Sequence, residues 1–390
     1  MDVARIQTGL ASVDCDGWLL YDFHGLNPIA YDTVRPTGLV TRRWFVFIPR
    51  AGEPRGLVNA IERNSFSNLP GEYKTYGTHG ELSSGLRIML QGATRVAMEY
   101  SPNNAIPYIA RVDAGTIELV RSAGVDVVSS GDLVSGLLAC WTSEQIAMHR
   151  SAAAALNEIK DAAFALIAEA VRNGATLNEY DVASYIRTQF DRRGLLPQGG
   201  PICAVDANAS NPHYEPTEQD RAPIGRDQTV LIDLWARWDK PDAVFADMTW
   251  MGYTAESIPD RQSAVFGVAA GARDAGVAFL RKETASQSPV AGWQVDDVVR
   301  GYISKAGYGA YFIHRTGHSI GRDVHGIGPN IDNYETRDPR LLRPGMCFSI
   351  EPGIYLPEFG VRTEIDCLIE PDGVSVTTQP VQSGMIALLK

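Results

Sequence analysis

The chain has 390 residues, of which 45% are hydrophobic and 21% charged. That is too long for one core and too apolar for a disordered chain, so two globular domains are expected. With 35 Lys and Arg against 46 Asp and Glu, the net charge of −11 argues against a basic nucleic-acid-binding face. Cys15, Cys140, Cys203, Cys347 and Cys367 form no C-x-x-C pair, which reads as buried thiols in a reducing compartment. The opening MDVARIQTGL lacks a cationic cluster before an apolar run, and no apolar run reaches membrane-spanning length. A cytoplasmic protein with no membrane partner is expected.

In chain order, residues 18–23, 43–49, 56–61, 94–99 and 125–130 read as short strands between turn signals. The stretch 100–115 has room for short helices, so residues 1–138 are expected to form a mixed α/β domain. The character changes at Thr142. Thr142 and Gln145 make a capping box before an Ala-rich helix that closes at Asn173-Gly174. Thr176 and Glu179 suggest a second box, opening a helix that stops at Gly194. Residues 229–238 and 243–253 read as one pair of strands and 345–356 and 360–370 as another. Residues 258–284 and 294–306 read as helices. The second domain is placed at 139–390, and the whole chain in the α/β (α+β) class.

Each strand pair holds two acids. Asp233 and Asp247 are equidistant from Lys240, in the turn WDKPD. Glu351 and Glu364 are equidistant from the Pro357/Glu358 junction. Simple hairpins would set each pair face to face, about 5 Å apart at Cβ. Acids facing solvent are the ordinary reading of such residues. Two pairs placed symmetrically among apolar neighbours instead call for a cation between them. Four carboxylates and one histidine form an oxygen-rich set for two divalent ions. Mn²⁺ fits it best, and Co²⁺ or Zn²⁺ are ions the same donors accept.

The chain has seven histidines, and three crowd into HRTGHSIGRDVHG, residues 314–326. His314 and His318 are spaced i, i+4, but Arg315 and two glycines rule out a zinc-protease helix. Together with FSIEPGIY, GVRTE and the preceding Asp…Asp hairpin, this run resembles the pita-bread metallopeptidases. Within them it is similar to the Xaa-Pro peptidase branch, prolidase and aminopeptidase P. The resemblance covers residues 140–390, with the first domain similar to that branch's creatinase-like N-terminal domain.

The resemblance implies that Asp233, Asp247, His318, Glu351 and Glu364 hold two metals. It implies Glu351 as general base acting on metal-activated water, with His325 and His213 as catalytic and substrate-binding histidines. His314, Tyr355 and Arg362 are implied beside the substrate. Asp366 is set aside as a ligand in favour of Glu364. Implied too are a proline-containing peptide substrate and a homodimer. Hydrolysis of Xaa-Pro dipeptides is the expected function, with Arg337, Arg340 or Arg343 as a clamp for the free carboxylate. Action on longer peptides is the alternative. A binding module or a creatinase-like hydrolase is the alternative from another class. The resemblance also exposes two departures: Trp235 stands where the pattern has glycine, and the Asp…Asp loop is longer. His24, His79 and His149 carry no motif and read as surface or core residues.

Overall fold

In the computed structural model, which describes residues 1–11 and 13–390, the chain divides into two compact units, Met1–Leu138 and Ala139–Lys390. The first is built on a six-stranded sheet. Its strands are β1 (Gly17–Asp22), β2 (Trp44–Pro49), β3 (Arg55–Asn59), β4 (Glu72–Tyr76), β5 (Arg95–Met98) and β6 (Asp126–Ser129), in the order β4-β3-β2-β1-β5-β6. Only β2 runs antiparallel to its neighbours. Among the described residues, five α-helices accompany it: α1 (Val3–Leu10), α2 (Pro28–Val34), α3 (His79–Met89), α4 (Ala114–Ser122) and α5 (Gly131–Leu138). Leu19, Tyr21, Phe45, Phe47 and Leu57 share one core with Leu82 and Leu86 of α3 and Ile117 and Val120 of α4.

The five apolar runs of the sequence lie on β1, β2, β3, β5 and β6. α3 escaped notice because HGELSSGLRIM carries two glycines and two serines. A Thr78/Glu81 capping box starts it, and Leu82, Leu86 and Met89 anchor it.

The second unit opens with α6 (Ser143–Asn173), whose Thr142/Gln145 capping box and Gly174 cap are those expected. α7 (Glu179–Arg193) differs from expectation. Its cap is Asn178, boxed with Asp181, not Thr176 with Glu179. The Glu179 side chain has another use. It is fully buried and accepts hydrogen bonds from Val205 N (2.7 Å), Ala222 N (2.6 Å), Asn208 Nδ2 (3.0 Å) and Tyr214 Oη (2.6 Å). One buried carboxylate thus gathers the whole segment that carries His213.

After β7 (Leu195–Leu196) and β8 (Ile202–Val205) come the long strands β9 (Thr229–Trp238) and β10 (Ala246–Tyr253). Then follow α8 (Asp260–Ala285), α9 (Gly292–Lys305), β11 (Ser319–Ile320), β12 (Cys347–Ile350), β13 (Gly353–Tyr355), β14 (Gly360–Arg362), β15 (Ile365–Glu370), β16 (Gly373–Val376) and β17 (Ile386–Ala387). One sheet is ordered β17-β10-β9-β7, with β8 also on β9; a second is β11-β12-β15-β16; β13 and β14 form a ribbon.

The unit is built from two helix-backed hairpins. Ile232, Leu234, Met248 and Trp250 pack against Leu156, Ile159, Phe164 and Ile167 of α6. Phe348, Ile350 and Cys367 share a core with Phe266, Ala269 and Leu280 of α8 and Val295 and Val299 of α9. α8 is long and apolar enough to cross a membrane by length and composition, but half of its most apolar window is buried in this core. The strand faces opposite the helices point at each other and carry the acids.

The register of β9 and β10 corrects the expected one. Asp233 faces Thr249 and Asp247 faces Trp235, so the hairpin is centred on Pro241 and the aspartates are diagonal. Residues 243–245 leave the turn: all three are buried, and Phe245 N donates to Gly321 O (2.9 Å). The shift is two residues, which keeps both acids on the same face. In the second hairpin Ile350 faces Ile365 and Gly353 faces Arg362, the register in which positions 351 and 364 oppose.

Replacing Glu179 by alanine strands several buried donors. We expect it to cost about 2–4 kcal/mol in urea unfolding and to open residues 206–222 to limited proteolysis.

Candidate metal centre

Asp233 and Asp247 arrive on β9 and β10, and His318 immediately before β11. Glu351 and Glu364 sit where the second hairpin changes partners, at the β12–β13 and β14–β15 junctions. Asp233, Asp247, His318 and Glu364 are each less than 10% exposed, and Glu351 is slightly more open. The two hairpins are stitched directly. Glu364 N donates to Thr249 O (3.2 Å), and Asp247 N donates to Asp366 Oδ2 (2.9 Å). Donor atoms of Asp247, His318 and Glu364 lie within 4.8 Å of one another.

Among the described residues, Asp233 Oδ1, Asp247 Oδ1 and Glu364 Oε1 are buried without a hydrogen-bond partner. Burial, with neighbouring carboxylates reinforcing it, pushes the Asp247 and Glu364 carboxyls well above their usual range. Burial raises Asp233 and Glu351 as well, against the pull of Arg362. His318 Nδ1 is 3.1 Å from Ser319 O, a carbonyl that only accepts, so Nδ1 carries the proton. Nε2 therefore turns its lone pair toward Glu351 Oε1 (3.3 Å) and Asp247 Oδ2 (3.7 Å). Burial holds this imidazole neutral, its pKa lowered to about 3. A lone pair aimed at two carboxylates, with three unpartnered oxygens beside it, is a donor set that suits divalent cations.

The opposite wall is a chain of hydrogen bonds. Arg362 donates through Nη2 to Asp233 Oδ2 (2.5 Å), through Nε to Thr249 Oγ1 (3.1 Å) and through Nη1 to Tyr355 Oη (3.4 Å). Thr249 Oγ1 in turn donates to Glu364 Oε2 (2.7 Å). Tyr355 Oη donates to His314 Nε2 (2.7 Å), whose Nδ1–H donates to Arg315 O (2.7 Å). His314 is thus a neutral ring bound to Tyr355, its pKa lowered to about 3 by burial and then by Arg362.

His325 sits at the open edge, its ring edge-on to His318 with centroids 4.4 Å apart. His213 is exposed on the loop gathered by Glu179. The structure thus brings Asp233, Asp247, His318, Glu351, Glu364, Arg362, Tyr355, His314 and His325 around one site.

Of the three arginines expected as a carboxylate clamp, the structure spends one elsewhere. Arg340 is buried, bound to the Asp338 carboxylate (2.6 Å) and to Ile327 O and Gly328 O, and has no group left for substrate. Arg337 lies over the Trp293 ring (4.4 Å). Arg362 and then Arg315 pull the Glu351 carboxyl down against burial, and Arg315 also lowers His318 and His325, after burial.

Sequence reasoning missed the supporting roles of three residues, although Asp366 was weighed as a ligand and His149 as a surface or core residue. Thr249 couples Arg362 to Glu364. Asp366, fully buried, fixes the Asp247 backbone. His149 is fully buried behind Asp366 (3.9 Å), with Nδ1–H donating to Phe245 O (2.7 Å). No motif marks any of them. Only the strand alternation that places 247 and 249, or 364 and 366, on one face offered a signal.

Residues 151–371 match the model for metallopeptidase family M24, so the chain belongs to that family. A Xaa-Pro dipeptidase of Lactobacillus helveticus is 34% identical over 230 residues, 56% of this chain and 55% of the relative. The chain thus spans about half the length of the relatives it matches first. Two solved structures share the pita-bread fold along almost the whole chain. Dipeptidase PepE from Mycobacterium ulcerans has a TM-score of 0.74 at 20% identity, covering 99% of this chain and 96% of its own. Prolidase from Pyrococcus horikoshii OT3 has a TM-score of 0.66 at 22% identity, covering 97% and 98%.

The raised carboxyls give a pH signature for metal-stripped protein. A carboxyl whose pKa rises on folding lends stability that is full below its unfolded pKa and is lost as pH climbs through its folded one. Buried His149, His314 and His318 oppose this only below about pH 6.5, the unperturbed histidine value. Above about pH 6.5, where the histidines no longer oppose it, Tm of chelated protein should therefore fall as pH rises through the raised carboxyl pKa values. Added Mn²⁺ should raise Tm most at the higher pH values, read by differential scanning fluorimetry.

Proposed function

We propose that the chain is a dinuclear metallopeptidase that hydrolyses Xaa-Pro bonds, with dipeptides as its substrates. The observation that carries this is the convergence of four carboxylates and the His318 lone pair in one buried site of an M24 chain. Asp233, Asp247, His318, Glu351 and Glu364 would hold the ions, and their oxygen-rich set favours Mn²⁺. Divalent ions bound there would lower the pKa of water and polarise a carbonyl.

The chain's own side chains divide the remaining work. Glu351, its carboxyl raised by burial and steadied by Ser349 Oγ (3.1 Å), takes the proton of the attacking water and returns it to the leaving nitrogen. His325, at the open edge, hydrogen-bonds the substrate carbonyl as charge grows on its oxygen. His213 borders the substrate from its own loop. Arg362 holds Asp233 from behind, and Tyr355 and His314 brace Arg362. A dedicated site suits this bond, because proline lacks an N–H and fixes φ, so a protease that reads extended backbone binds it poorly.

The dipeptide preference draws support from relatives bearing that name. Five free cysteines support a cytoplasmic setting, and we extend the proposal to a homodimer, which sedimentation would read.

Chelation should abolish hydrolysis of Ala-Pro, and Mn²⁺ should restore it. Glu351→Gln should lower kcat by about 10²-fold or more, with metal content measured alongside. A series from Ala-Pro to a pentapeptide should show kcat/KM falling about tenfold or more beyond the dipeptide. A rise with length assigns the chain to aminopeptidase action instead.

A further inference from the structure

Trp235 lies on the same face of β9 as Asp233 and directly opposite Asp247. Opposed residues of an antiparallel pair stand about 5 Å apart at Cβ. Its flanking residues Leu234 and Ala236 point the other way, into the core under α6. The indole therefore stands on the site side of the sheet, half-buried.

Its position is fixed twice. Nε1–H donates to Gln198 O (2.9 Å). The ring packs so closely under Gly200 that a Cβ there would lie 2.4 Å from it. Gln198 in turn accepts through Oε1 from Val324 N (3.0 Å), the residue before His325. The ring, Gln198 and Val324 form one continuous wall from the Asp247 strand to the His325 loop. Because the indole N–H is spent on Gln198, the ring offers substrate only aromatic carbon. One part of the ring packs against an apolar cluster that includes Val244, Phe245, Ile320 and Val324, while its neighbours on the sheet face are Asp233 and Asp247, so its open part is an apolar surface beside the acids.

We propose that Trp235 is a specificity-determining residue that selects substrates with an apolar side chain beside the scissile bond. The inference rests on the peptidase reading above. The ring is held by packing and one hydrogen bond before substrate arrives, so little side-chain entropy is lost on contact.

The test compares Gly-Pro, Leu-Pro and Asp-Pro on Mn²⁺-loaded wild type, Trp235→Gly and Trp235→Phe, with thermal melts to confirm folding. In wild type, kcat/KM should favour Leu-Pro over Gly-Pro by about tenfold or more, the scale of one apolar side chain meeting an apolar wall. In Trp235→Gly that ratio should collapse to within about twofold, through KM. Trp235→Phe, which keeps an aromatic face, should restore most of it. A ratio that survives in Trp235→Gly, or a loss shared equally by all three dipeptides, overturns the proposal. If wild type cleaves none of them, the peptidase reading fails on its own account. Calorimetric binding of Leu-Pro and Gly-Pro then decides the wall, and equal discrimination by wild type and Trp235→Gly overturns it.

Discussion

Four carboxylates packed out of water around one guanidinium is the condition the catalytic unit is built to meet. Arg362 alone cannot balance them. It reaches Asp233 and, through Thr249, Glu364, yet Asp233 Oδ1, Asp247 Oδ1 and Glu364 Oε1 still lack partners. Desolvation and mutual repulsion then force protons onto the acids or bring cations between them. Removing Arg362 would deepen the imbalance, whereas binding divalent ions relieves it. The fold keeps this arrangement because each hairpin is anchored on its reverse side by a helix-covered apolar core. Burial of Phe164, Ile232 and Trp250 on one side and of Phe266, Phe348 and Ile350 on the other offsets what the acids cost.

Close approach of backbone is the second requirement. Gly317 forms a bridge with Ile331, and a Cβ on it would stand 2.0 Å from Ser349 O. Only glycine lets the strand carrying His318 lie so near β12, whose end carries Glu351. Ser349 uses that proximity twice, accepting from His318 N (3.0 Å) and donating to Glu351 Oε1 (3.1 Å). One serine thereby sets the spacing between the histidine and the general base.

The site was more legible in the sequence than the first unit was. Strand alternation has period two, so the two-residue error in pairing Asp233 with Asp247 left the face assignment intact. Helices α3 and α4 were hidden because their stability comes from the sheet they cover, not from helix-forming residues. Glu179 misled for a related reason. Its spacing from Thr176 mimics a capping box, but four donors across the β8–β9 connection outbid a helix terminus for its oxygens. Thr249, Asp366 and His149 act through partners more than a hundred residues away, and a single sequence carries no mark of such contacts.

The crowding of histidines into residues 314–325 now has a physical reading. Arg300 donates to Phe312 O (3.0 Å) and His314 O (2.7 Å), and its guanidinium lies between the Phe312 and Tyr334 rings. Buried Asp296 accepts from both Thr316 N and Thr316 Oγ1. Asn330 holds Ser319 N (3.0 Å). With the backbone pinned at each step, neighbouring histidines meet different surroundings. His314 faces Tyr355 and is spent as an acceptor. His318 donates its Nδ1–H to a backbone carbonyl and keeps the Nε2 lone pair for the centre. His325, between Val324 N held by Gln198 Oε1 and Gly326 N held by Ser319 O, turns an exposed side chain to the cleft. The run is therefore not three ligands for one ion. It is one rigid segment that delivers a brace, a donor atom and a substrate contact at successive positions, which is why the chain concentrates so scarce a residue there.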